Sequence, residues 1–108
     1  MAQLVSAAQF DVFPNPDGND SSRPFVLVVQ SDHLQHLRTR VVMPLMPSPR
    51  VPLPARLAPR LDVAGQSLML SGAEIATVDI ALLKSRVANL SGDRDRIMAA
   101  TDVLLFGI

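Results

Sequence analysis

Apolar and polar positions follow two regimes along this chain. Up to Met46 the apolar residues come in short, β-branched runs separated by polar turns, and from Ser91 onward they recur at helical spacing. Gln9-Phe10-Asp11-Val12-Phe13 alternates, with Phe10 and Val12 on one face; Phe13 breaks the pattern and Pro14 ends it, which predicts a first strand. The segment from Asn15 to Ser22 is dense in turn-forming residues and predicts a long hairpin tip. Pro24-Phe25-Val26-Leu27-Val28-Val29-Gln30 is a continuous apolar run, which predicts a strand buried on both faces. A polar link, Ser31 to Thr39, leads to a third strand at Arg40-Val41-Val42-Met43-Pro44-Leu45-Met46. Three sequential strands of this kind predict an antiparallel meander.

Residues 44–59 hold Pro44, Pro47, Pro49, Pro52, Pro54 and Pro59. Proline lacks an amide donor, so this stretch is expected to form neither a helix nor a central strand. A stiff connection across the rim of a small barrel accounts for it more simply than a polyproline ligand, because the spacing makes no clean motif. Arg60 to Ala64 and Ser67 to Leu70 alternate about Gly65-Gln66 and predict a hairpin, with a short strand to follow in Glu74 to Asp79. Leu82 to Asn89 fits either a helical turn or an irregular edge. Ser91 then has the chemistry of a helix N-cap, with Asp93 in the first turn. Ile97, Thr101, Leu104, Leu105 and Ile108 form the apolar stripe of a packed helix. The predicted fold is a single domain over residues 1–108, mainly antiparallel β with one helix at the carboxyl end.

Composition narrows the function classes. Ten basic and ten acidic side chains cancel, against a general nucleic-acid binder. The absence of cysteine removes disulfides, thiolate nucleophiles and Cys-based zinc sites. No apolar run is long enough to span a membrane, and residues 1–8 lack the pattern of a signal peptide, so a cytoplasmic protein is expected. Ser31-Asp32-His33 holds the residue names of a hydrolase triad, but adjacent residues do not generally adopt its geometry. His33 and His36, with Asp32 nearby, lack a further ligand at a sensible spacing for a metal site. Arg38, Arg40, Arg50, Arg56 and Arg60 cluster in the middle of the chain and suit either an acidic partner or a solvated rim. No catalytic constellation and no cofactor emerges, which turns attention to Phe106-Gly107-Ile108. Chain ends are usually polar; an apolar one calls for either burial in the core or presentation to a partner.

Several segments, in order, resemble the CcdB family of toxins: Gln9 to Phe13, Phe25 to Asp32 with its Val-Gln-Ser-Asp ending, Val41 to Leu45, Val87 to Ser91, and Leu105-Phe106-Gly107-Ile108. The likeness runs from Gln9 to Ile108 and leaves residues 1–8 as a possible extension. It implies an SH3-like antiparallel barrel with one helix at the carboxyl end, shared with MazF toxins and assembled as a symmetric homodimer. It further implies a non-enzymatic toxin that binds the DNA gyrase A subunit and traps the cleaved-DNA complex. A cognate antitoxin would neutralise it, and operator DNA would be reached only through the toxin–antitoxin complex. On this resemblance the gyrase contacts are Ser31, Leu34, Leu105, Phe106, Gly107 and Ile108, and the dimer contacts are Leu104, Leu105 and Ile108. Leu34 stands where the family carries isoleucine and Leu105 where it carries phenylalanine. Phe106 stands in place of the family's tryptophan, so an arginine stacked on this ring would lose about 1 kcal/mol. Two rival readings remain open: a MazF-type mRNA endonuclease using Arg23, Thr39 and Arg40, or a nontoxic relative kept for antitoxin binding and operon regulation.

Overall fold

The computed structural model describes residues 7–48 and 52–108. Strand β1 (Asp11–Pro14) pairs antiparallel with β2 (Phe25–Val28), Val12 opposite Leu27, and β2 pairs with β3 (Thr39–Met46), Leu27 opposite Met43. The expected meander is present. The β1–β2 connection is ordered by nested side-chain caps: Asn15, Asp17 and Asp20 each accept the amide two residues on, from Asp17, Asn19 and Ser22.

The expected hairpin forms from β4 (Arg60–Val63) and β5 (Gln66–Leu70), with Ala64-Gly65 as its turn, one residue earlier than predicted. The far edge of β3 is shared. Its last residues pair with β5, and its first pair with β6 (Ala76–Asp79). A two-residue strand, β7 (Ala88–Asn89), closes onto β1. The order β4-β5-β3-β2-β1-β7, with β6 beside β3, makes a nearly closed antiparallel barrel.

Helix α1 (Arg94–Phe106) packs on the barrel core through Ile97, Ala100 and Leu104. It leaves the β7 side, where the Leu90 amide donates to the Phe10 carbonyl, and reaches β4, where the Arg96 guanidinium donates to the Arg60 carbonyl.

The sheet is apolar on both faces. Phe10, Val12, Leu27, Met43, Leu45, Leu61, Leu68 and Leu70 form the central core with Ile97 and Ala100 of α1. Phe13, Val26, Val28, Val42 and Leu83 form a second cluster on the other face. This explains both features of the amino-terminal pattern: β2 is buried on two sides, and Phe13 departs from the Phe10/Val12 face because it serves the second cluster. Each such side chain contributes about 1.5–3 kcal/mol on full burial.

Three expectations need correction. Pro44 lies inside β3, opposite Val26. The Val29 amide donates to the Val41 carbonyl, so by alternation residues 43 and 45 make the β2 hydrogen bonds and Pro44 faces away. Its missing donor falls where the far edge passes from β6 to β5, and on that edge its carbonyl accepts the Ser71 amide at 2.9 Å. Ser91 opens a 3-10 turn rather than capping the helix, and Asp93 occupies the cap position with its carboxylate turned to Arg96 at 3.1 Å. The helical stripe is buried only in its first part: Ile97 is enclosed, Thr101 and Leu104 are half-buried, and Leu105 and Ile108 are exposed. Leu104 does pack against the central core.

Residues 52–59 form the irregular rim expected of them, while Pro49, Arg50 and Val51 lie outside the described residues. This rim is pinned to the residues after β5, where the Gly72 amide donates to the Leu57 carbonyl at 2.9 Å. A Cβ on Gly72 would stand 2.2 Å from that same oxygen, so only glycine permits the approach.

Candidate functional site

At the end of α1, three large apolar side chains project into solvent. Leu105 is 55% exposed, Phe106 69% and Ile108 68%. The last turn contains no basic residue, and the chain leaves the helix through Gly107, whose φ of 73° places it in the left-handed region. Its amide donates to the Val103 carbonyl at 3.1 Å and closes the helix end. Nothing lies within 4 Å of a Cβ built on Gly107, so backbone conformation rather than crowding selects glycine there. The arrangement presents Phe106 on the last turn and swings Ile108 off the helix axis. Apolar surface displayed this way beside half-buried Leu104 suits a protein partner rather than catalysis.

Ser31 and Leu34 sit on the β2–β3 connection. The Ser31 hydroxyl caps a short 3-10 turn by accepting the His33 amide at 3.1 Å, and Leu34 projects from that turn, 44% exposed. Asp32 accepts the Gln9 amide at 2.8 Å, which ties the connection to the start of β1. That is also where α1 begins, with the Arg94 guanidinium 5.8 Å from the Phe10 ring. Phe106 lies about 18 Å of helix further on, from twelve steps of about 1.5 Å. The predicted contacts therefore belong to two places on one protomer, not a single cluster.

Arg40, grouped with the solvent-facing arginines on sequence grounds, is only 4% exposed. Its guanidinium donates to the carbonyls of Ala7, Gln35, Leu37 and Thr39. It anchors the connection that carries Leu34, a role invisible in sequence because its acceptors are backbone atoms. Arg23 is also engaged. It donates to Glu74 at 2.7 Å and to Asp20 at 3.3 Å, and Glu74 accepts the Ser71 hydroxyl at 2.8 Å. The hydrogen bond to Glu74 chiefly raises the Arg23 guanidinium above its usual range. Burial pushes the Glu74 carboxyl up, but the hydrogen bonds from Arg23 and Ser71, with the Arg23 charge, more than offset this and leave it lowered. Asp20 is lowered, first by the Ser22 hydroxyl.

His33 and His36 are exposed, and among the described residues no group of three or more His, Cys, Asp or Glu is gathered to hold a metal. No helix is long and apolar enough to cross a membrane, among the described residues. The remaining described arginines divide: Arg38 pairs with Asp79 at 3.7 Å, whereas Arg56 and Arg60 line a groove with Arg96 of α1.

The fold and site together define a small, nearly closed antiparallel barrel with one carboxyl-terminal helix whose end presents apolar side chains. Solved structures share this architecture. An endoribonuclease in complex with its cognate antitoxin, from Mycobacterial species, superposes with a TM-score of 0.73 at 14% identity, over 91% of this chain and 93% of that one. An endoribonuclease from Mycobacterial species gives 0.70 at 14% identity, over 93% and 91%. The Mycobacterium tuberculosis toxin MazF-mt6 gives 0.62 at 17% identity, over 76% and 84%. At these identities the likeness concerns the fold. No curated protein matches the sequence. The family described as CcdB protein matches residues 9–107, so the chain belongs to the CcdB family, toxins of toxin–antitoxin systems.

Proposed function

We propose that this toxin is a DNA gyrase poison that acts by binding rather than by catalysis. Two copies, joined across Leu104, Leu105 and Ile108, offer a pair of Phe106-Gly107-Ile108 anchors to the gyrase A subunits and hold the cleaved-DNA complex. The observation that carries this reading is the solvent exposure of Leu105, Phe106 and Ile108 at the end of α1, in a member of the CcdB family. A two-fold axis doubles a single plug into a matched pair, and buried aromatic anchors dominate binding energy at such interfaces. Ser31 and Leu34 supply a lateral contact from the β2–β3 connection. A cognate antitoxin neutralises the toxin, operator DNA is reached only through their complex, and the site of action is the cytoplasm, where gyrase works.

The test is supercoiled plasmid with gyrase and ATP. Full-length protein accumulates linear cleaved DNA, and a variant lacking residues 106–108 does not. Absence of both cleavage and gyrase binding by the full-length protein refutes the proposal.

One observation favours a second reading, RNA cleavage: the structural neighbours at TM-scores of 0.73 and 0.70 are endoribonucleases. Phosphodiester cleavage without a metal needs a free cation and a positioned base. Arg23 is tied to Glu74 and Asp20, and Arg40 to backbone carbonyls, which supports the binding reading over this one. RNA cleavage that disappears in Arg23→Ala would reverse the preference.

A further inference from the structure

A pocket of about 310 Å³ opens on the second face of the sheet and takes no part in the gyrase reading. Its floor follows from strand register. Val26 stands opposite Pro44 and Val42 opposite Ala76, so β2, β3 and β6 bring these side chains together on one face, with Val78 beside them. Val26, Val42 and Pro44 are buried, whereas Ile75 at the margin is 46% exposed. Polar groups complete the lining. Asn15 and Asp17 belong to the β1–β2 tip, which is held where the Asn15 side-chain amide donates to the Arg23 carbonyl at 2.7 Å. Arg23 and Glu74 line it as a pair, 2.7 Å apart. The charges do not balance. Among the described residues Arg23 is the only basic side chain lining the pocket, and Glu74 and Asp20 already hold it. Asp17 accepts the Asn19 amide at 3.1 Å and, among the described residues, makes no ion pair. Two carboxylates of the lining, with Asp20 as a third, are thus set against one guanidinium in a chain whose formal charges sum to zero.

We propose that this pocket binds a small organic cation, an ammonium head carried on a compact apolar body. The proposal stands apart from both functional readings given above. An apolar floor with a few convergent polar groups is the usual make-up of a small-molecule site, and the excess of carboxylates decides the sign of the ligand. The head lies by Asp17 and Glu74, and the body covers Val42, Pro44 and Val78. Both parts are needed. A bare ammonium gains little from partly exposed acids, and a neutral apolar molecule forgoes the charge. A carboxylate ligand would meet two acids and a guanidinium already engaged. Nucleobases find no aromatic ring in the lining to stack on. A metal ion finds no gathered set of donors among the described residues.

The probe is phenethylamine, titrated into the isotope-labelled full chain and followed by backbone amide NMR shifts. Saturable shifts are expected in residues 15–17 and 74–78. Phenethyl alcohol keeps the body without the charge and should bind about tenfold more weakly, as should ethylamine, which keeps the charge without the ring. Hydrocinnamate, with the charge reversed, should bind more weakly than the alcohol. Asp17 and Ile75 are exposed, so both can be changed without opening the core. Asp17→Asn and Ile75→Ser should each weaken phenethylamine by about threefold or more. Asp95→Asn removes an exposed acid on α1, outside the pocket, and should leave binding unchanged. Circular dichroism confirms that each variant is folded. Alcohol or hydrocinnamate binding as tightly as the amine, equal losses in Asp17→Asn and Asp95→Asn, shifts confined to residues outside the pocket, or no saturable shift at all overturns the proposal.

Discussion

Replacing Phe106 by alanine separates the two roles open to an apolar helix end. With 69% of its surface exposed, Phe106 buries about a third of the area a core phenylalanine would. Full burial of such a side chain contributes about 1.5–3 kcal/mol, so its share here is about 0.5–1 kcal/mol. Ile97 on the same helix is 1% exposed and packs in the central core. Truncating it to alanine removes contacts and leaves a cavity, at a cost of about 2–5 kcal/mol. For a domain of this size about 1 kcal/mol moves the melting temperature by about 4–8 °C. Phe106→Ala should therefore melt within about 8 °C of the unaltered protein, and Ile97→Ala far below it. Against gyrase the ranking reverses for the folded protein. Loss of an anchor costs about 2 kcal/mol or more, which raises the toxin concentration needed for half-maximal cleavage by about thirtyfold. Scanning calorimetry and a cleavage titration on the same preparations measure both. If Phe106→Ala proves as unstable as Ile97→Ala, the ring belongs to the core. If it is stable and equally potent, the anchor lies elsewhere. Phe106→Trp should lower the concentration required, by about fivefold if the gain is about 1 kcal/mol.

Three further outcomes follow from the geometry. Gly107→Ala places a Cβ at a φ of 73°, so urea denaturation should show a loss of about 1 kcal/mol, and Gly107→Asn a smaller one. Arg40→Met leaves the buried Ala7 carbonyl and the part-buried carbonyls of Gln35 and Leu37 without their donor and should cost about 1–3 kcal/mol, with backbone NMR shifts concentrated in residues 31–38. Glu74 has a lowered pKa in the folded protein, so the unfolded chain takes up the proton first. Its contribution to stability is complete above the ordinary glutamate range and is lost as pH falls through the lowered value. Glu74→Gln should flatten the acid dependence of the urea midpoint in that window, and an unchanged dependence would show that the Arg23 pair adds nothing.

The strands were legible because β-branched runs have one dominant reading, and even the misplaced Phe13 carried information: an apolar residue out of phase marks a sheet with two covered faces. Pro44 was misread because the effect of a missing amide depends on which edge of the strand it faces, and that depends on partners β5 and β6 more than twenty residues away. Arg40 was misread for a related reason. Its acceptors are carbonyls, one of them at Ala7, and no residue type in the sequence announces them. Leu105 and Ile108 satisfied the helical stripe, yet periodicity says which residues share a face and not how far the barrel beneath that face extends. The sequence already singled out Phe106-Gly107-Ile108 as either core or partner contact, and the barrel leaves Phe106 and Ile108 exposed.

The partial burial of α1 makes the anchor a population as well as a surface. Ile97 and Ala100 fix the first turns to the barrel, while the last turn has little buried area to oppose local opening. A partner that needs Phe106 and Ile108 in helical register binds only the ordered fraction, and its apparent affinity is reduced by that fraction. Asp102 places a negative charge near the negative end of the helix dipole, in a helix whose last turn has no basic residue to balance it. Asp102→Lys should therefore raise the ordered fraction and, on the gyrase reading, potency with it, without one added contact to the target.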